Sequence, residues 1–185
     1  MVSKMVCPWW MGYLLANPVR RLFQSPEKIL APYINKGDKI LEIGPGMGFF
    51  SIPMAAMTGE KGKVYCVDVQ PKMLSVLAKR GKKAGVGSIV ETRLAAAQSL
   101  NISDIYGSID FVLLFAVVHE VPDQGELFSE VYRALKPGGR MLISEPSGHV
   151  TTKGFAATVD IAQDKGFIRV EEPKIPGGVS ALFNR

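Results

Sequence analysis

Between residues 39 and 51 the chain reads Lys-Ile-Leu-Glu-Ile-Gly-Pro-Gly-Met-Gly-Phe-Phe-Ser, and no other stretch constrains the fold as strongly. An apolar run of strand length meets three alternating glycines, Gly44, Gly46 and Gly48, ahead of a segment suited to a helix. This order of residues predicts a buried strand that breaks into a tight turn and then feeds a helix. Glycine accepts φ > 0 and allows a ligand to approach the backbone closely. The first turn of the helix offers N–H groups that have no partner within it, which favours negative charge or lone pairs there. A second apolar run, 63–67, ends in Asp68. A carboxylate at the tip of the neighbouring strand is placed to accept both hydroxyls of a ribose. The loop therefore predicts a nucleoside site.

From Asp38 onward the pattern alternates between strands, at about 39–43, 63–68, 88–93, 109–115 and 140–145, and helices, at about 48–58, 71–84, 123–135 and 151–165. Such alternation predicts an α/β fold, a doubly wound, mostly parallel sheet with helices on both faces. Pro71 suits the first turn of its helix, and Asp123 suits an N-cap. Pro53 falls early in its helix, so it should cost little or kink the first turn. Residues 136–139, Lys-Pro-Gly-Gly, predict a helix stop and a turn into the fifth strand. After Gly166 two short strands, 167–172 and 179–183, are joined by a Pro- and Gly-rich connection that reads as a hairpin and adds a late antiparallel strand.

A length of 185 residues suits one core, and 47% apolar with 21% charged residues is ordinary for a water-soluble domain. The net charge of +5 is spread along the chain, and its densest cluster, Lys79, Arg80, Lys82 and Lys83, closes a helix, where cations complement the dipole. With no basic run interleaved with aromatics, a nucleic-acid partner is not expected. Cys7 and Cys66 provide no disulfide framework, and Cys66 lies inside an apolar strand. The apolar segment 6–16 is too short to span a bilayer, is interrupted by Pro8 and Gly12, and lacks a good cleavage site. A cytoplasmic protein without a transmembrane segment is the expectation.

The glycine spacing decides between nucleosides. Dinucleotide folds use Gly-x-Gly-x-x-Gly, but here the third glycine comes one residue early and Glu42 precedes the first by two. A carboxylate there would repel a pyrophosphate and suit an ammonium group. Glu42-x-Gly44-x-Gly46-x-Gly48 with Asp68 resembles the first two motifs of the class I methyltransferases that use S-adenosylmethionine (SAM) and release S-adenosylhomocysteine. Asp110-Phe-Val-Leu-Leu-Phe115 leading to His119-Glu120, and 135–143, Leu-Lys-Pro-Gly-Gly-Arg-Met-Leu-Ile, extend the likeness. Together they resemble the broad subgroup containing quinone-biosynthesis and arsenite methyltransferases.

The resemblance implies a Rossmann-like SAM-binding domain over 38–185 and a helical lid or substrate segment over 1–37. It implies that Glu42, Gly44, Pro45, Gly46 and Gly48 hold the methionine end and Asp68 the ribose, with Val69 and Phe115 as further cofactor contacts. Where the subgroup usually has Asp-Ala for adenine, this chain has Ala95-Ala96-Ala97, which leaves the backbone of Ala97 or the side chain of Gln98 for that contact.

The acceptor side is read from the only two histidines. His119 follows strand four and His149 follows strand five, so both should face the crevice beyond the strand ends, with Glu120 and Glu145 close by in sequence. Methyl transfer needs an aligned nucleophile and, for a hydroxyl or ammonium, a proton acceptor, which makes the histidines catalytic candidates and the two glutamates substrate candidates. The alternatives are that they only orient a loop or the cofactor, or that with the carboxylates they bind a metal. No zinc-type ligand spacing is present, so no metal is expected. Trp9 and Trp10 suit a lid over an apolar or sulfonium group, or simple packing on the sheet.

No long insertion follows strand five, so the pocket is shallow or completed by the N-terminus or by a second subunit, as in a homodimer. Arsenite chemistry needs several thiols and this chain has two cysteines, one of them in a strand. The stretch 115–118, Phe-Ala-Val-Val, lacks the Asn-Pro-Pro-Tyr pattern used on adenine or glutamine nitrogen. Methyl transfer to a small-molecule acceptor is the leading expectation. RNA or protein methylation, and SAM binding without catalysis, are the alternatives.

Overall fold

The computed structural model describes residues 20, 23–96 and 99–185. A short helix α1 (Pro26–Leu30) precedes β1 (Lys39–Ile43), α2 (Ser51–Thr58), β2 (Lys63–Asp68), α3 (Pro71–Lys83) and β3 (Val90–Leu94). Then come β4 (Ile109–Phe115), α4 (Gln124–Ala134), β5 (Leu135–Pro146), α5 (Thr152–Asp164), β6 (Ile168–Glu171) and β7 (Gly178–Asn184). The seven strands form one sheet in the order β3-β2-β1-β4-β5-β7-β6. The pairs β1–β2, β2–β3 and β4–β5 are parallel, and β7 runs antiparallel to both β5 and β6. The mostly parallel α/β sheet with a late antiparallel strand is thus the architecture that the sequence predicts.

The described residues fall into two compact units, one ending at Asn101 and the other running from Ile102 to Arg185. In the first, α3 packs on β2 and β3, and Ile40, Leu41, Met54, Val64, Cys66 and Leu77 are fully buried. In the second, α4 packs on α5 and β5 over Phe111, Leu113, Phe128, Leu142 and Phe183. Of the segment expected to form a lid, Arg20 and residues 23–37 are described; Trp9, Trp10 and Cys7 lie outside the described residues.

Local chemistry accounts for most boundaries. Ser25 caps α1 with Pro26 at its first position, Pro71 opens α3, and Asp123 caps α4 by accepting from the Glu126 N–H at 2.9 Å. Helix α2 starts at Ser51, three residues later than expected, because residues 46–50 are spent on turns. Pro53 is therefore its third residue, where an N–H would have had no helical partner. Strand β5 also departs from expectation. It begins at Leu135, and residues 136–139 bulge out of it rather than separating helix from strand: Ile109 pairs with Leu135, and Phe111 with Arg140.

Candidate active site

In the N-terminal unit the site is built on the turn after β1. Gly44 (φ 70°) donates its N–H to the Val67 carbonyl at 2.9 Å, which ties the turn to β2. The Pro45 carbonyl accepts from the Gly48 N–H at 3.0 Å, closing the next turn. Two of the glycines do different work. A Cβ at Gly46 (φ 53°) would meet nothing within 4 Å, so this backbone borders open space and admits close approach. A Cβ at Gly48 (φ 86°) would lie 2.3 Å from Leu77 Cδ1, so Gly48 lets α3 pack against the loop.

Glu42 is 2% exposed and accepts a 2.5 Å hydrogen bond from the Ser51 hydroxyl, with the Cys66 thiol 4.0 Å away. Burial pushes the Glu42 carboxyl up to about 7 from its ordinary 4.5; the Ser51 hydrogen bond opposes this, and the Asp68 charge adds to it. The same burial and the Glu42 charge push the Cys66 thiol far up, so it is inert core, as its strand position predicts. Asp68 ends β2, largely buried, and accepts from the Gln70 N–H at 2.8 Å. Val69 beside it is 55% exposed.

Two further residues enter this unit's site without having been singled out in the sequence. The Arg80 guanidinium donates to the Met47 carbonyl at 2.7 Å and so pins the glycine turn from α3. Its place among lysines at a helix end masked that role. Arg20, in the segment expected as a lid, stacks its guanidinium 4.3 Å from the centre of the Phe49 ring. Ala95 and Ala96 follow β3, with the Ala95 N–H bonded to the Asp68 carbonyl at 3.0 Å; Ala97 and Gln98 lie outside the described residues.

In the C-terminal unit the candidates after β4 and β5 converge. Phe115 ends β4, and Ala116 follows with φ 55°, a left-handed conformation costly for a non-glycine residue. His119 and Glu120 sit in a short 3-10 turn, Val118–Glu120. Glu145, near the end of β5 and 1% exposed, lies under that turn. One of its oxygens accepts from the Val117 and Val118 N–H groups at 3.1 and 2.8 Å, and the other pairs with His119 Nδ1. Glu145 is thus turned onto the loop and His119, not onto an open face where a substrate would meet it directly. The His149 ring stands edge-on to His119, with centres 5.6 Å apart. On its other side the turn is held by Gln124, whose amide donates to the Val118 carbonyl at 3.2 Å and accepts from the Thr158 hydroxyl at 3.1 Å. Among the described residues no cluster of three metal-ligating side chains is present.

The glycine turn and the acidic end of β2 suit a nucleoside with an amino-acid tail. The family profile described as "Methyltransferase domain" matches residues 41–143, more than half of the chain. The chain belongs to the class I SAM-dependent methyltransferase family. It is 32% identical over 112 residues to the ubiquinone/menaquinone biosynthesis C-methyltransferase of Haemophilus ducreyi, covering 60% of this chain and 42% of that protein. To the arsenite methyltransferase of Halobacterium salinarum it is 34% identical over 109 residues, covering 59% and 27%. The chain thus spans less than half the length of these two relatives. A SAM-dependent methyltransferase from Aquifex aeolicus has the same fold at 22% identity, with a TM-score of 0.86 over 97% of this chain and 99% of that one. No described helix of this methyltransferase domain is long and apolar enough to cross a membrane.

Proposed function

We propose that this domain transfers a methyl group from SAM to a small-molecule acceptor whose hydroxyl is deprotonated by His119. The observation that carries the reading is the pairing of His119 Nδ1 with buried Glu145, which commits that nitrogen and leaves Nε2 as the proton acceptor.

The residues around the glycine turn fit the cofactor. Backbone at Gly46 borders open space, Asp68 closes β2 with a carboxylate suited to ribose hydroxyls, and Glu42 is a buried acid that a nearby ammonium would favour in its charged form. When bound, SAM supplies an electrophilic methyl group and leaves as S-adenosylhomocysteine. The protein's share is alignment and proton removal. His119 Nε2 would take the proton from the acceptor hydroxyl, leaving the oxygen electron-rich as the nucleophile toward the methyl group. The relative named as a quinone-biosynthesis C-methyltransferase supports an acceptor of this chemistry.

The test is S-adenosylhomocysteine formation from SAM with a panel of phenols and hydroquinones. His119→Ala is expected to lower turnover by about 10²–10⁴-fold, the loss typical of a general base. SAM affinity, read by calorimetry, is expected to stay unchanged. Full turnover by His119→Ala would remove the base assignment, and binding of SAM without consumption by any acceptor would favour a non-catalytic SAM-binding protein.

A further inference from the structure

The turn that carries His119 has a polar backbone on both sides and a strained entry. Ala116 enters at φ 55°, and such conformations persist only where the surroundings over-determine them. Glu145 takes the N–H groups of Val117 and Val118. The Val118 carbonyl receives the amide of Gln124, the first residue of α4. The oxygen of Gln124 in turn accepts from the buried hydroxyl of Thr158 on α5, which anchors the side chain at its far end. Turned over, the Gln124 amide would present its oxygen to the Val118 carbonyl, two acceptors face to face. The Thr158 hydroxyl would then face an amide NH2 and would have to accept rather than donate. The Val118 carbonyl, which can only accept, therefore decides which end of Gln124 faces the turn, and the Thr158 hydroxyl holds the oxygen left on the other side.

We propose that Gln124, anchored by Thr158, is a positioning residue for His119. Together with Glu145 it clamps the turn from its carbonyl and amide sides, holding the imidazole with Nδ1–H on the Glu145 carboxylate and Nε2 bare. The inference rests on the reading of His119 as proton acceptor. It adds two side chains, one from α4 and one from α5. The separation in sequence is large: Thr158 stands 34 residues from Gln124, and Glu145 26 from His119.

The chain has only two histidines, so imidazole ¹⁵N signals are assigned with the single variant His149→Asn. Long-range ¹H–¹⁵N spectra at alkaline pH, where imidazole is neutral, read protonation at each nitrogen separately. The native chain is expected to show His119 protonated at Nδ1 and bare at Nε2. Thr158→Val keeps shape but removes the hydroxyl, and Gln124→Met keeps length but removes the amide. Each is expected to merge the two His119 nitrogen signals toward a tautomer average. Each is also expected to speed amide hydrogen exchange at Val117 and Val118 by about tenfold, the scale of one lost hydrogen bond. Thr158→Ser is expected to restore both.

An unchanged His119 signature in a folded Thr158→Val or Gln124→Met chain overturns the proposal. So does a lowered melting temperature with the signature intact, which would make the pair simple packing. Neither readout needs SAM or an acceptor. Full turnover by His119→Ala would therefore refute the base reading alone, while these spectra judge the clamp.

Discussion

Glu42 in the N-terminal unit and Glu145 in the C-terminal unit are both buried, at 2% and 1% exposure, yet they are satisfied in opposite ways. Glu145 accepts two backbone N–H groups and pairs with an imidazole, so it belongs to the scaffold of its loop. Glu42 has one strong donor, the Ser51 hydroxyl, and a distant thiol, and burial carries its carboxyl up to about 7. A carboxylate short of donors gains from a cation brought to it, whereas one already saturated gains little. The difference separates a buried carboxyl with few donors, which the proposed function assigns to the cofactor, from one that holds other groups in place.

The largest effect expected from breaking this contrast is at Glu145. Glu145→Ala strands two loop N–H groups and a histidine, and should cost about 3–5 kcal/mol of stability in denaturant titration. A cost below 1 kcal/mol would show that the loop does not depend on it.

Glu42 should behave in the opposite sense. Because its folded value lies above 4.5, the folded chain binds more protons than the unfolded one between about pH 4.5 and 7. Stability should therefore fall as pH rises through that window, by roughly 3 kcal/mol, and level off above it. Glu42→Gln should flatten this dependence and stabilise the SAM-free chain at pH 8, as read by urea melts at several pH values. If Glu42 meets the cofactor ammonium, SAM affinity should weaken below about pH 7 in the native chain but not in the variant. An identical pH dependence in both would place the shifted proton elsewhere.

Asp68→Ala sharpens the comparison within the N-terminal unit. It should weaken SAM binding by about 1.5–3 kcal/mol, the value of a charged hydrogen bond, with the pH response left to Glu42. Calorimetry giving native affinity would remove the ribose assignment. The smallest effect is expected at Arg80. Arg80→Met frees the Met47 carbonyl and should cost about 1 kcal/mol in SAM affinity, with faster amide exchange confined to the glycine turn. Unchanged exchange would make that contact incidental.

How much could be read in advance differs between the units for the same reason. The strand, the glycine turn and Asp68 were legible because each is written in neighbouring residues: apolar runs, glycines where φ is positive, a carboxylate at a strand end. The late hairpin was legible too, from its Pro- and Gly-rich connection. Gly48 was legible as a glycine, but not as the point where Leu77 closes on the loop, since that contact spans 29 residues. Residues 136–139 carry turn chemistry, and only the pairing of Leu135 with Ile109 makes them a bulge inside a strand. Arg80 was hidden in a helix-end cluster whose other members need no partner beyond water and the dipole.

By itself, then, the sequence determined the order of strands and helices, the turn that borders open space at Gly46, and the family. These follow from backbone preferences and burial patterns that act over a few residues. Tertiary structure decided that Glu42 is an acid raised by burial and that Glu145 lies beneath His119. It also decided that Gln124 and Thr158 reach the same turn. Those are matters of desolvation and hydrogen-bond partnership across 26 to 34 residues, set only when the sheet brings distant strand and helix ends together.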